Sequence, residues 1–231
     1  MCGRFTLDTS KVSFKDFGVT RIRYMPPARF NIAPTTEIAV IRQDEDGERE
    51  LVEMRWGLVP IWAKPDSKLP LMINARAETV ARKPAYRSAF KTRRCIVPAT
   101  GYYEWKKLSD GTKQPFYFTR KDAPLAFAAI WEGETVATVT TDPNAEAAQV
   151  HNRMPVILEK DQYDRWMAPA PLSEDECRLL LRPLPDGGLD FYPVYRRVGS
   201  VSDKSSAADR SQAWQEEDRH EEHRDLKDHG G

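Results

Sequence analysis

Two runs of β-branched and apolar residues, Glu37 to Arg42 and Glu50 to Leu58, flank a polar turn at Asp44 to Gly47. Short apolar runs around a tight polar connection predict a β-hairpin. The same signal recurs along the chain. Cys2 to Leu7 predicts a short first strand, and Cys95 to Trp105 a buried strand entering a functional turn. Asp110-Gly111 marks the tip of a hairpin that returns through Pro115 to Arg120, and Leu125 to Trp131, Thr135 to Thr141, Met154 to Leu158 and Phe191 to Val198 follow as strands. Helical signals are fewer and short. Asp8, Thr9 or Ser10 can cap a helix over Lys11 to Phe17, and Glu78 to Phe90 is helix-like but must kink or split at Pro84. Asp142-Pro143-Asn144 opens a short helix toward Val150. Asp161 to Met167 and Ser173 to Leu181 complete the set, the latter with a capping box from Ser173 and Glu176. Many short strands among a few short helices, with no internal repeat, predict an α+β fold. Its sheets are expected to be mainly antiparallel or mixed, forming a distorted β-barrel-like core with short flanking helices.

Composition changes this picture at one end. The chain has 231 residues, 40% of them hydrophobic, enough for one sizeable core. From Ser202 onward almost nothing can be buried, so the expected organisation is a single domain over 1–201 and a charged, disordered tail over 202–231. The formal net charge is zero, yet the tail holds five Lys or Arg and nine Asp or Glu, leaving 30 basic against 26 acidic residues before it. A mildly basic body permits polyanion binding without demanding it. No run approaches the length of a membrane span and the first residues lack an apolar signal core, so a cytoplasmic protein without membrane contact is expected. Cys2, Cys95 and Cys177 lie far apart with no CxxC spacing, which argues against a disulfide framework and a local zinc site; neither metal nor cofactor is expected.

Candidate chemistry begins at Cys2. Were Met1 removed, Cys2 would present an α-amine beside its thiol, with ordinary pKa values near ~8 and ~8.5. Such a pair can form an imine with an aldehyde and close through sulfur to a thiazolidine; alternatively, the thiol can attack an amide with the amine as base. His151 is the only histidine before the tail, at a predicted helix-to-strand junction where a side chain can be aimed into a cleft, and imidazole changes charge near neutral pH. Glu104 lies among Tyr102, Tyr103 and Trp105, and such neighbours should desolvate it and raise its pKa toward the range of a general acid or base. Asn74, Arg76 and Glu78 alternate, so an extended segment projects all three from one face. Arg4, Arg76, Arg87, Arg93, Arg94 and Arg153, with Trp62, Tyr102 and Trp105, could hold single-stranded nucleic acid, phosphates on cations and bases on rings.

Six segments in order, Met1-Cys2-Gly3-Arg4-Phe5, Phe30-Asn31-Ile32-Ala33-Pro34, Arg55 to Pro60, Ile73 to Thr79, Arg94 to Ala99 with Gly101 to Trp105, and His151 to Pro155, closely resemble the SOS response-associated peptidase (SRAP) family. The resemblance runs from residue 1 to about 200. It implies a protein that binds abasic sites in single-stranded DNA and joins its N-terminal Cys to the ring-opened sugar; a monomer is expected. On it, Cys2 forms the thiazolidine, Asn74 holds the reacting end, Glu104 shuttles protons and His151 assists as a second acid or base. Arg4, Arg76 and Arg153 would grip phosphates, Trp62 and Trp105 would support the splayed strand, and Thr140 would line the pocket. The family's name also implies removal of Met1 by the same site. The competing readings are an N-terminal-nucleophile amidohydrolase such as a glutaminase, and a non-catalytic binder of modified DNA.

Overall fold

The computed structural model describes residues 2–64, 67–200 and 202; the expected tail, Ser202 apart, and Met1 lie outside the described residues. In chain order the strands are β1 (Phe5–Leu7), β2 (Arg21–Ile22), β3 (Arg29–Ile32), β4 (Glu37–Gln43), β5 (Arg49–Trp56), β6 (Asn74–Arg76), β7 (Arg94–Ala99), β8 (Gly101–Lys107), β9 (Lys113–Thr119), β10 (Leu125–Glu132), β11 (Thr135–Thr141), β12 (Met154–Pro155) and β13 (Asp190–Pro193). The helices are α1 (Arg87–Thr92), α2 (Ala145–Ala148), α3 (Tyr163–Met167) and α4 (Glu174–Leu180).

The hairpin read from the apolar pattern around Asp44 is β4–β5, paired antiparallel from Glu37 opposite Arg55 to Gln43 opposite Arg49. β4 also pairs with β7, β7 with β10 and β10 with β11, and β11 returns to β5 in parallel. These five strands close a small barrel, as the α+β, barrel-like expectation requires, and closure removes the exposed strand edges. β2 extends it from β5, while β6 and β12 extend it from β11. A second, antiparallel sheet runs β13-β9-β8-β1-β3. Phe5 of β1 fastens the sheets together, its ring edge-on to Trp56 at 5.2 Å and to Phe127 at 6.0 Å.

The segment read as one strand from Cys95 to Trp105 is two strands in different sheets. All six residues of β7 are buried in the barrel wall; the chain then crosses at Thr100-Gly101 and continues as β8 beside β1. Only glycine fits the crossing, because a Cβ on Gly101 would stand 2.2 Å from the Tyr117 ring. This step carries Glu104 out of the barrel wall to the N-terminal strand.

Other differences are local. Lys11 to Phe17 yields only a 3-10 turn at Phe14–Phe17, and the Glu78 to Phe90 run is turns up to α1, because Pro84 cannot sit inside a helix. β1 and β12 are shorter than their apolar runs, although Ile157 still bridges to Phe127. β13 ends at Pro193, and a 3-10 turn at Arg196–Gly199 follows it. The capping box of α4 is present: Ser173 N–H donates to Glu176 Oε2 at 2.7 Å and Glu176 N–H to Ser173 Oγ at 3.2 Å.

Arg94, one of the cations available for polyanion contact by sequence, is only 2% exposed. Its guanidinium donates to the carbonyls of Trp166 (2.6 Å), Phe90 (2.7 Å), Lys91 (2.9 Å), Ala170 (2.8 Å) and Ala168, tying α1, β7 and the end of α3 together. Burial pulls its pKa down to about 10, so it stays charged at neutral pH. Arg94→Met is expected to destabilise the fold by about 3 kcal/mol or more, because buried carbonyls lose charge-assisted donors. Chemical denaturation checks this, and an unchanged midpoint would remove the assignment.

Candidate active site

The site is assembled where the two sheets meet. Residues 2–4 lead into β1 beside β8, with Tyr103 N–H donating to the Arg4 carbonyl at 2.9 Å. The Arg4 guanidinium donates to Asn31 Oδ1 (2.9 Å) and to the carbonyls of Val198 (3.3 Å) and Gly199 (3.2 Å), while Asn31 Nδ2 donates to the Ser200 carbonyl at 2.7 Å. The last turn of the described chain therefore clamps the first strand. Arg4, expected at a phosphate, has several of its donors engaged within the protein.

Cys2 is buried, at 2% exposure. Its carbonyl accepts from Asn74 Nδ2 at 2.8 Å. Burial pushes the Cys2 thiol far above its ordinary range, and the neighbouring Glu104 carboxylate adds to the rise. The sulfur is thus held as a thiol, not a thiolate. Glu104 is itself 3% exposed, on the β8 face it shares with Tyr102, and burial raises its pKa, opposed in part by nearby positive charge that includes His151. This is the direction expected from its aromatic surroundings.

His151 follows α2, whose capping residue Asn144 accepts the Ala147 N–H at 3.0 Å, as the Asp142-Pro143-Asn144 signal predicts. The half-buried imidazole accepts the Arg153 N–H on Nδ1 at 3.1 Å, which leaves Nε2 to carry the proton of the neutral ring. The Arg153 side chain pairs with Glu78 and with Asp142 (2.8 Å) and donates to the Thr140 carbonyl at 2.7 Å. The Arg153 hydrogen bond is the main cause that holds Glu78 below its ordinary pKa. In this arrangement Arg153 braces the His151 turn against β11 and the turn that follows β6. Thr140 is fully buried, with Oγ1 3.4 Å from the Ala75 carbonyl, behind the site.

β6 places Asn74 and Arg76 on one face with buried Ala75 between them, as their alternation predicts. Arg76 is exposed, and among the described residues its side chain has no hydrogen-bond or ion-pair partner. Trp62 is 55% exposed beside Ile61 and Val59, its Nε1 donating to the Pro84 carbonyl at 3.3 Å. Trp105 is half-buried against the cluster of Tyr103, Tyr117, Val194 and Val198. Arg93 is paired with Glu132 at 2.7 Å, and with Arg94 buried the cations open to a ligand narrow toward Arg76 and Arg87. Among the described residues no group of three or more His, Cys, Asp or Glu could hold a metal ion.

The sequence reading missed the residues that hold Asn74. Thr138 Oγ1 lies 2.5 Å from Asn74 Oδ1, and Tyr86 O–H donates to the Asn74 carbonyl at 3.2 Å. Thr138 is opposite Asn74 only because β6 pairs with β11, a parallel register with no local signature.

Fold and site together define a class: a barrel-based α+β protein whose distinctive group is a buried cysteine at position 2, set among an amide, a carboxylic acid and an imidazole. The family model described as SOS response associated peptidase (SRAP) matches residues 1–201, and the chain belongs to that family. It is 38% identical to the abasic site processing protein YoaM of Bacillus subtilis, across 89% of this chain and 96% of that one. It is 34% identical to the abasic site processing protein HMCES of Gallus gallus, across 70% of this chain and 57% of that one. Among solved structures, a protein from Bacteroides thetaiotaomicron superposes with a TM-score of 0.73 at 27% identity, covering 85% of this chain and 93% of that one. No described helix is long and apolar enough to cross a membrane.

Proposed function

We propose that this protein processes abasic sites in single-stranded DNA by joining Cys2 covalently to the ring-opened deoxyribose as a thiazolidine. The observation that carries the reading is the Asn74 hydrogen bond to the Cys2 carbonyl at 2.8 Å, which holds the reacting end beside a buried acid, Glu104. The names of its relatives, abasic site processing proteins, support the abasic site as the target.

The chemistry follows from those groups. An abasic sugar is mostly a closed hemiacetal, and Glu104, whose pKa burial raises, gives a proton to the ring oxygen and takes one from the C1′ hydroxyl, freeing the aldehyde. The α-amine of Cys2, exposed once Met1 is removed, adds to C1′. Water leaves with a proton from the acid, and an imine remains. The neutral thiol then adds to the imine carbon, its proton passing through the carboxylate to nitrogen, so aldehyde and aminothiol become thiazolidine and one water. A thiol held protonated suits this order, in which nitrogen attacks first, better than the thiolate-first attack of an amidohydrolase. His151 protonates the leaving sulfur or nitrogen on reversal. Removal of Met1 by the same groups remains part of the proposal.

The test is incubation with a single-stranded oligonucleotide carrying one abasic site, read on a denaturing gel beside Cys2→Ala. A wild-type chain that leaves the oligonucleotide unshifted overturns the reading.

Arg76 is the strongest candidate for phosphate contact, being exposed and, among the described residues, without a hydrogen-bond or ion-pair partner. Arg76→Ala is expected to weaken non-covalent binding uniformly across sequences and to flatten the log-log salt dependence by roughly 0.7. An unchanged slope would take Arg76 off the DNA path.

A further inference from the structure

We infer that Thr138 is a positioning residue that sets which end of the Asn74 amide faces Cys2. An asparagine side chain presents an NH2 donor and an oxygen acceptor of nearly equal size, and nothing in its own shape chooses between them. Only the donor can hold the Cys2 carbonyl; the reversed amide would set oxygen against oxygen.

The choice is made by hydrogen-bond accounting around Ile73 and Thr138. Thr138 is 1% exposed, so its hydroxyl is set to find its partner within the protein. Two carbonyl-type oxygens lie within its reach, Ile73 O at 3.3 Å and Asn74 Oδ1 at 2.5 Å. The Ile73 oxygen already accepts two donors, Thr138 N–H at 3.0 Å and Trp56 Nε1–H at 3.0 Å, which fill its two lone pairs. The single hydroxyl proton therefore goes to Asn74 Oδ1. With the oxygen committed, Asn74 Nδ2 must point away from Thr138, toward the Cys2 carbonyl. Tyr86 fixes the Asn74 backbone from the other side, so the free variable left to Thr138 is the amide's polarity.

The inference rests on the proposed crosslinking for its kinetic readout, but not for its structural one. The variants are Thr138→Val, which keeps the shape and removes the hydroxyl, and Thr138→Ser, which restores it. Crosslinking is followed in single turnover with the abasic oligonucleotide, and non-covalent affinity with an oligonucleotide carrying a tetrahydrofuran that cannot open. Thr138→Val is expected to slow crosslinking about tenfold with affinity unchanged, and Thr138→Ser to recover to within about threefold of wild type. In parallel, the Asn74 side-chain NH2 signals, assigned by their loss in Asn74→Asp, should exchange slowly with solvent in wild type and Thr138→Ser and rapidly in Thr138→Val. Equal impairment of the two variants, or a Thr138→Val protein with wild-type rate and wild-type NH2 exchange, would overturn the inference. Should the wild type fail to crosslink at all, the functional reading falls, and the NH2 exchange alone decides whether Thr138 orients Asn74.

Discussion

Cys2→Ala is expected to abolish the durable, unreduced adduct with abasic single-stranded DNA while the chain stays folded and still binds the oligonucleotide. The thiol is nearly fully buried, but its removal deletes one sulfur, a loss of about 1 kcal/mol of packing that a domain of this size tolerates. Cys2→Ser separates the two nucleophiles. Its amine can still form an imine, so reduction with borohydride should trap an adduct, whereas without reduction no durable ring should survive heating, because a hydroxyl adds to an imine far less well than a thiol. Acetylating the α-amine of the wild type should prevent both products. A stable adduct on the acetylated chain would mean that sulfur alone attacks, and the nitrogen-first order would be wrong.

Glu104→Gln is expected to slow crosslinking by about a hundredfold or more, the usual contribution of a positioned general acid or base. Gln keeps the shape and much of the hydrogen bonding but cannot exchange a proton. The wild-type rate should pass through a maximum with pH, since addition needs a neutral amine and loss of water needs an acid; the variant should lose the limb that Glu104 controls. Stability should move the other way. The pKa of Glu104 is raised in the folded protein, chiefly by burial, so the folded state holds that proton more tightly than the unfolded one. Its contribution is most favourable below the unfolded pKa and is lost as pH rises through the folded pKa. Glu104→Gln removes that loss, and above this window it should be more stable than wild type toward denaturant, a trade of activity for stability. Wild-type crosslinking by Glu104→Gln across about pH 5 to 8 would sink the assignment and leave Asn74 with bound water as the better candidate.

The sequence by itself determined the parts whose cause is local. Alternating apolar runs around Asp44-Gly47 and Asp110-Gly111 placed two hairpins, because side-chain period and turn chemistry act over a few residues. Ser173 and Glu176 announced their helix start for the same reason, and the aromatic flanks of Glu104 announced its burial. Ordered motifs from Cys2 to Pro155 were enough to place the chain in its family. What brings Cys2, Asn74, Glu104 and His151 to one point is not local: β1 lies on β8, β6 lies on β11, and Gly101 lets one apolar run cross between two sheets. Partner choice was equally hidden. Arg94 and Arg76 are the same residue type in the sequence, yet one is consumed by five backbone carbonyls and the other stands exposed, since burial and pairing depend on elements that meet only on folding. Thr138 gave no signal at all, because a hydroxyl acquires a role only from the two oxygens the tertiary structure sets within its reach.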